Sequence, residues 1–165
     1  MTITHELSTF NSMSFELIAV EDAPEEIPEL VYETLYSKLD VPKEPRERWY
    51  DKAQSGRFLV ARTKGDDADG TLLGCCRLML VSEENPDAVQ IRQVVVTAAS
   101  QGLGIGRKLM LEAERLAKAE GAKEIFLWSR YPAYRFYENL DYEYTSEPWI
   151  SEVTTIEHRT MVKLL

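Results

Sequence analysis

Gln101-Gly102-Leu103-Gly104-Ile105-Gly106-Arg107 places three glycines at alternate positions. The apolar, β-branched run Ile91 to Val96 precedes it, and the amphipathic segment Leu109 to Ala119 follows. That order predicts strand, glycine turn, helix. The glycines leave the backbone bare just where a helix begins. The first N–H groups of a helix have no acceptor inside it, and the aligned peptide dipoles put partial positive charge there. A phosphate or pyrophosphate suits such a place. The alternative is a strand-to-helix turn whose glycines serve tight packing alone. Two other glycine loops are excluded. A Walker A loop needs Gly-Lys-Ser/Thr, whereas Gly106 is followed by Arg107-Lys108-Leu109. The dinucleotide fingerprint needs a glycine at the position of Arg107 and belongs early in a βαβ unit.

Outward from the turn, alternation and helical spacing divide the chain. Toward the N-terminus, Val89 to Thr97 reads as a long strand. It is nearly apolar from Val94 to Val96, as a central strand is. Phe58 to Arg62 and Leu72 to Ser82 read as a hairpin around the acidic turn 64–70. Ser14 to Val20 reads as a first strand and Pro24 to Lys38 as a helix, with Asp22 as N-cap and Pro28 in the first turn. A second, short helix is expected over Glu44 to Gln54. Residues 1–13 are polar and lack a period, so they are expected to form a loose arm. Toward the C-terminus, Leu109, Ala113, Leu116 and Ala117 form one helical face. Lys108 with Glu112, and Glu114 with Lys118, are spaced as four-apart pairs on the other side. Gly121 is placed as a C-cap. Glu124 to Trp128 is a short strand, Pro132 to Asn139 a short helix, and Tyr142 to Ser146 and Glu152 to Lys163 two final strands. The order β-α-α-β-β-β-α-β-α-β-β, seven strands and four helices, predicts an α+β or mixed α/β fold. The strands are mostly antiparallel, and residues 1–165 form a single domain.

Composition narrows the function. The 165 residues carry a formal net charge of -9, which argues against a nucleic-acid surface and is weakly compatible with a cationic substrate. No apolar run reaches membrane-spanning length, and residues 1–13 lack a basic start followed by an apolar core, so a cytoplasmic location is expected. Cys75 and Cys76 are adjacent; on a strand they point to opposite faces and do not easily bond to each other. With two histidines at opposite ends of the chain, no metal site is expected. Monomer and homodimer both remain open.

Three patches in order resemble a known family. Gln101-x-x-Gly104-x-Gly106, after the strand Ile91-Arg92-Gln93-Val94-Val95-Val96, resembles motif A of the GNAT N-acetyltransferases. Ala133-x-x-Phe136-Tyr137-Glu138-Asn139-Leu140-Asp141-Tyr142 is similar to motif B, with Asp141 where glycine is usual; Asp tolerates a left-handed turn better than most residues. Ile156-Glu157-His158-Arg159-Thr160-Met161, with Ser129-Arg130 earlier, resembles an ElaA-like bacterial subgroup. The resemblance runs from Ser14 to the C-terminus. It implies a central, mostly antiparallel sheet, acetyl-coenzyme A as donor, and transfer of acetyl to a primary amine of a small molecule or peptide.

Direct acyl transfer needs the thioester held, its carbonyl polarised, the amine deprotonated and the thiolate protonated. The resemblance places the pyrophosphate on the backbone of Gln101, Gly102, Leu103, Gly104, Ile105, Gly106 and Arg107. It pairs the pantetheine arm with the edge of Val94, Val95 and Val96, and the Val96 amide would polarise the carbonyl. For this the strand must be splayed from Glu124 to Trp128, which the family does with a bulge. Arg107 adds a cation, or is simply a solvated helix residue. Tyr137 matches the motif B acid, and a phenol of pKa about 10 is protonated at neutral pH; the alternative is a half-buried aromatic that anchors its helix. The base has no obvious holder, because Gln90 stands where many relatives carry glutamate. His158 is the candidate by type, the alternative being a histidine bonded to a loop carbonyl; Glu157 and Glu152 are lesser candidates. Arg130 either binds a carboxylate or phosphate of the acceptor or pairs with an acid such as Glu138. A non-catalytic coenzyme A-binding module is the alternative function.

Overall fold

The computed structural model describes residues 13–43, 56–64, 70–79, 83 and 85–165. The expected helix Glu44 to Gln54, the acidic turn tip 65–69 and most of the expected N-terminal arm lie outside the described residues. Met13, assigned to that arm, instead starts β1 (Met13–Ala19) and pairs with Thr63.

A 3-10 turn, Val20–Asp22, and Pro24 lead from β1 into α1 (Glu26–Leu35). Asp22 lies within that 3-10 turn; Glu25 takes the cap position, with no side-chain cap bond. β2 (Arg57–Thr63) and β3 (Leu72–Met79) form the expected antiparallel hairpin. β4 (Ala88–Val96) passes through the 3-10 turn Ala98–Ser100 and the glycine turn into α2 (Ile105–Ala119). β5 (Glu124–Arg130), α3 (Tyr134–Glu138), β6 (Glu143–Tyr144), β7 (Trp149–Ile150) and β8 (Glu157–Leu164) complete the order. The sheet runs β1-β2-β3-β4-β5-β8-β6, with β7 also on β8. Every pairing is antiparallel except β4 with β5, so the fold is mixed α/β with a mostly antiparallel sheet.

The inner strands bury side chains on both faces. Leu59, Ala61, Cys76, Val89, Ile91, Ile125 and Leu127 pack with α2 through Ile105, Leu109, Met110, Ala113 and Ala117. Phe58, Val60, Cys75 and Val95 pack on the other face with Ile27 and Val31 of α1. Complete burial of each large apolar side chain contributes about 1.5–3 kcal/mol. The two cysteines do point to opposite faces; both are free and buried.

Three details differ from expectation. Glu114 does not pair four residues along its helix; the helix turns it inward, where it accepts from Tyr142 Oη (3.2 Å) and Lys163 Nζ (2.9 Å). Glu112 is gripped by both Nε and Nη2 of Arg115, three residues on. The expected strand over Glu152 to Lys163 starts only at Glu157, because residues 151–156 form a tight turn. Ser151 Oγ accepts from the N–H groups of Val153 and Thr154, and Thr155 takes φ 57°. The turn folds β7 back on β8, placing Trp149 opposite His158.

Candidate functional site

The site begins where two parallel strands part. β4 and β5 pair from Ala88 and Glu124 as far as Ile91 and Leu127. β4 runs on to Val96 and β5 to Arg130, but not against each other. A bulge in β4 accompanies the fork. The register against β3 slips between Cys75↔Val95 and Arg77↔Arg92, leaving β4 one residue longer, and Gln93 takes φ 53°. An inserted residue reverses the face of everything beyond it. Val89 and Ile91 face α2 before the bulge, and Val94 and Val96 face it after. Arg92 and Gln93, consecutive in sequence, both line the cleft on the α1 side. Thr97 N–H bonds to the Leu73 carbonyl on β3 (2.9 Å). N–H groups alternate direction along an extended strand, so that of Val96 points away from β3, toward the space β5 has left.

The glycine turn follows this edge. Gln101 is extended (φ -66°, ψ 146°) and Gly102 left-handed (φ 78°), as in a type II turn. Gly104, the α2 cap residue, is also left-handed, at φ 76°. The first α2 bond runs from Lys108 N–H to the Gly104 carbonyl (3.1 Å), so the amides ahead of it have no acceptor in the helix. Gln101, Gly102, Gly104 and Arg107 are exposed, whereas Leu103 and Ile105 anchor the turn in the core. No acid lies in the first turn of α2. Gly106 has a packing reason: a Cβ there would sit 3.3 Å from Phe136 Cζ. At Gly102 a Cβ would meet nothing within 4 Å, so that side of the turn is open space. An uncovered turn of this shape fits a pyrophosphate.

On the α1 side the fork opens into a cleft of about 600 Å³, lined in part by Tyr36, Arg92, Gln93, Arg130, Trp149 and His158. Arg130 and His158 come together as directly opposed residues of β5 and β8. His158 Nδ1 lies 2.8 Å from the Ile156 carbonyl. Since that oxygen only accepts, Nδ1 carries the proton and Nε2 keeps its lone pair. The ring stacks on Trp149 at 4.9 Å and is buried. Burial lowers its pKa below 6.5; the Ile156 contact opposes this and the Arg130 charge adds to it. The ring thus has the loop-carbonyl bond of the structural alternative and also lies in the wall of a cleft.

Arg130 does not pair with Glu138, which accepts from Tyr144. Its Nη1 donates to the Leu35 carbonyl at the end of α1 (2.8 Å), and its guanidinium lies over Tyr36. Arg92, which the apolar pattern of β4 overshadowed, stacks over Trp128 and donates from Nε to Gln90 Oε1 (2.9 Å). Gln90 is buried at the place where the resemblance expects glutamate, and its Nε2 has no hydrogen-bond partner among the described residues. Of the lesser candidates, Glu152 lines the cleft, while Glu157 accepts from Tyr134 Oη (3.1 Å).

Tyr137 lies apart from these groups. It is buried in the α2-side core between the Phe136 and Tyr142 rings. Burial, and to a lesser degree Cys76, pushes its phenol well above the usual pKa of 10. His158 and Tyr137 thus lie on opposite faces of the sheet. Sequence reasoning missed Arg92, Gln93, Tyr36 and Trp149. A charged residue inside a mostly apolar central strand was the available signal for the first.

Comparison with known proteins identifies the family and the fold. The model of the Acetyltransferase (GNAT) family matches residues 22–142. An acyl-CoA N-acyltransferase from Pseudomonas aeruginosa superposes with a TM-score of 0.71 at 20% identity, covering 92% of this chain and 99% of that one. A GNAT family acetyltransferase from Elizabethkingia anophelis, solved with acetyl-CoA bound, gives 0.66 at 15%, covering 94% and 99%. Escherichia coli ElaA gives 0.64 at 14%, covering 92% and 99%. At such identities the likeness speaks for the fold.

Proposed function

This chain belongs to the Acetyltransferase (GNAT) family, and we propose that it transfers acetyl from acetyl-coenzyme A to a primary amine by direct attack, with donor and acceptor bound together. The family's chemistry is acyl-coenzyme A-dependent N-acetylation. Bound, the coenzyme supplies an acetyl group activated as a thioester. The observation that carries the reading is the fork beyond Ile91 and Leu127, opening beside a bare left-handed turn.

In this reading the main-chain amides of Gln101 to Arg107 hold the pyrophosphate, and the Arg107 side chain adds charge beside it. The exposed edge of Val94 to Val96 takes up the amide-bearing arm as one more strand. The Val96 N–H, already aimed into the gap, polarises the carbonyl without reorientation. His158 Nε2 receives the amine proton, directly or through water, as nitrogen bonds to the acetyl carbon. The Tyr137 hydroxyl donates to sulfur as the carbon–sulfur bond breaks. Arg130 orients the acceptor. The fork joins the two faces on which the proton acceptor and donor lie. A cytoplasmic location belongs to the same reading, supported by two free, buried thiols.

Gln90 gives a second reading some support, a module that binds coenzyme A without turning it over. Calorimetric titration with acetyl-coenzyme A, followed by thiol release over a panel of primary amines, separates the two. Tight binding with amine-dependent release is expected; binding with no release for any amine would favour the second.

A further inference from the structure

The chain is acidic overall, yet its cleft is not. Arg77, Arg92 and Arg130 line it, with Glu152 as the one acidic residue among the described lining. Arg92 and Arg130 occupy the two prongs of the fork, one just beyond the last β4 pair and the other at the end of β5. Among the described residues, neither forms an ion pair with a carboxylate. Their contacts are neutral: Gln90 Oε1 and the Trp128 ring for Arg92, the Leu35 carbonyl and the Tyr36 ring for Arg130. Aromatic faces and carbonyls hold a guanidinium in place without neutralising it.

We propose that the acceptor amine carries an anionic oxygen group, a carboxylate or a phosphate, seated against Arg92 and Arg130 at the fork; this rests on the N-acetyltransferase reading above. A guanidinium fork matches the two oxygens of either group and binds them bidentately. Burial depresses the pKa of both arginines, so each is a desolvated cation whose stabilisation an entering anion would restore. The same charges disfavour a polyamine or an aminoglycoside. Neutral His158, opposite Arg130, then stands beside the anchored end of the acceptor, with its Nε2 lone pair available to the amine. The arginines therefore set which amine is accepted, apart from the turn that holds the donor.

Matched amines test this: α- and ω-amino acids against their amides, phosphoethanolamine against ethanolamine, and spermidine, each with acetyl-coenzyme A. The acidic members are expected to show kcat/KM at least tenfold above their neutral partners. The carboxylate and phosphate arms identify which group is read. Arg92→Met and Arg130→Met are expected to raise KM for the best acid at least tenfold, with unchanged coenzyme A affinity serving as the folding control. Arg130→Lys tests the planar fork while keeping the charge. Spermidine or a neutral amine used as well as its acidic partner would overturn the proposal, as would arginine variants that weaken coenzyme A binding instead. The coenzyme-loaded protein is also titrated calorimetrically with the same pairs. Preferential acid binding without turnover counts against the transferase reading alone, whereas equal binding of acid and amide counts against the anion site.

Discussion

Arg130 and His158 face each other across the β5–β8 pair, so a permanent cation sits beside the one histidine among the described residues of the cleft. Burial lowers the imidazole pKa first and Arg130 lowers it further, while the Ile156 contact acts the other way. The ring is therefore neutral at pH 7. If it takes the amine proton, activity falls as pH drops through this lowered pKa, and the acid limb of kcat/KM lies below pH 6.5. Arg130→Met removes one lowering influence, so the limb should move upward. A limb above 6.5 in the native protein, or one unmoved by the substitution, would exclude His158 as the base.

Gly104→Glu should abolish coenzyme A binding. It sets a carboxylate at a proposed anion site and forces a side chain into φ 76°. Gly104→Ala isolates the strain, which costs about 1–2 kcal/mol. Calorimetry on both variants should show modest weakening for alanine and no detectable heat for glutamate. Retained affinity in Gly104→Glu would remove the phosphate role of the turn.

Tyr137→Phe should keep the fold, because the ring contacts with Phe136 and Tyr142 persist. If the hydroxyl is the acid, turnover should drop by about 10²-fold or more with little change in coenzyme A affinity. Because burial raises its pKa, Tyr137 stays protonated and adds no basic limb below about pH 10. An unchanged rate in single-turnover assays would dismiss it.

Gly106→Ala sets two effects against each other. Alanine gains about 1 kcal/mol of helix propensity over glycine. Its Cβ would press on Phe136 Cζ at 3.3 Å, and overpacking costs about 1–3 kcal/mol. A net loss of about 1 kcal/mol in urea unfolding is expected. In a double-mutant cycle, Phe136→Leu should relieve it. A stabilised single variant would show that α3 yields freely to α2.

The element order and the turn were legible because their signals are local. Alternation placed Cys75 and Cys76 on opposite faces, the glycine run marked the entry to α2, and Asp141 adopts the left-handed φ of 68° expected of it. Two features were illegible for one reason: a non-glycine residue takes a positive φ that only the surrounding structure imposes. Gln93 does so at the bulge, and Thr155 does so in the β7–β8 turn. Without the first, Arg92 and Gln93 do not share a face. Without the second, Trp149 does not reach His158. The glycine turn was thus readable as a motif, whereas the cleft that brings Arg92, Gln93 and Trp149 to Arg130 and His158 emerged only from long-range pairing.

The surplus residue in β4 also fixes how this strand tolerates length changes. Removing one codon there would not merely shorten a loop. Without Gln93, Arg92 would still stand opposite Arg77 and Val95 opposite Cys75, with Val94 between them, so the strand would alternate regularly and Val94 and Val96 would keep the α2 side. A single-residue deletion at Gln93 would therefore erase the bulge and one side chain of the cleft wall while leaving the two surfaces of the sheet unchanged.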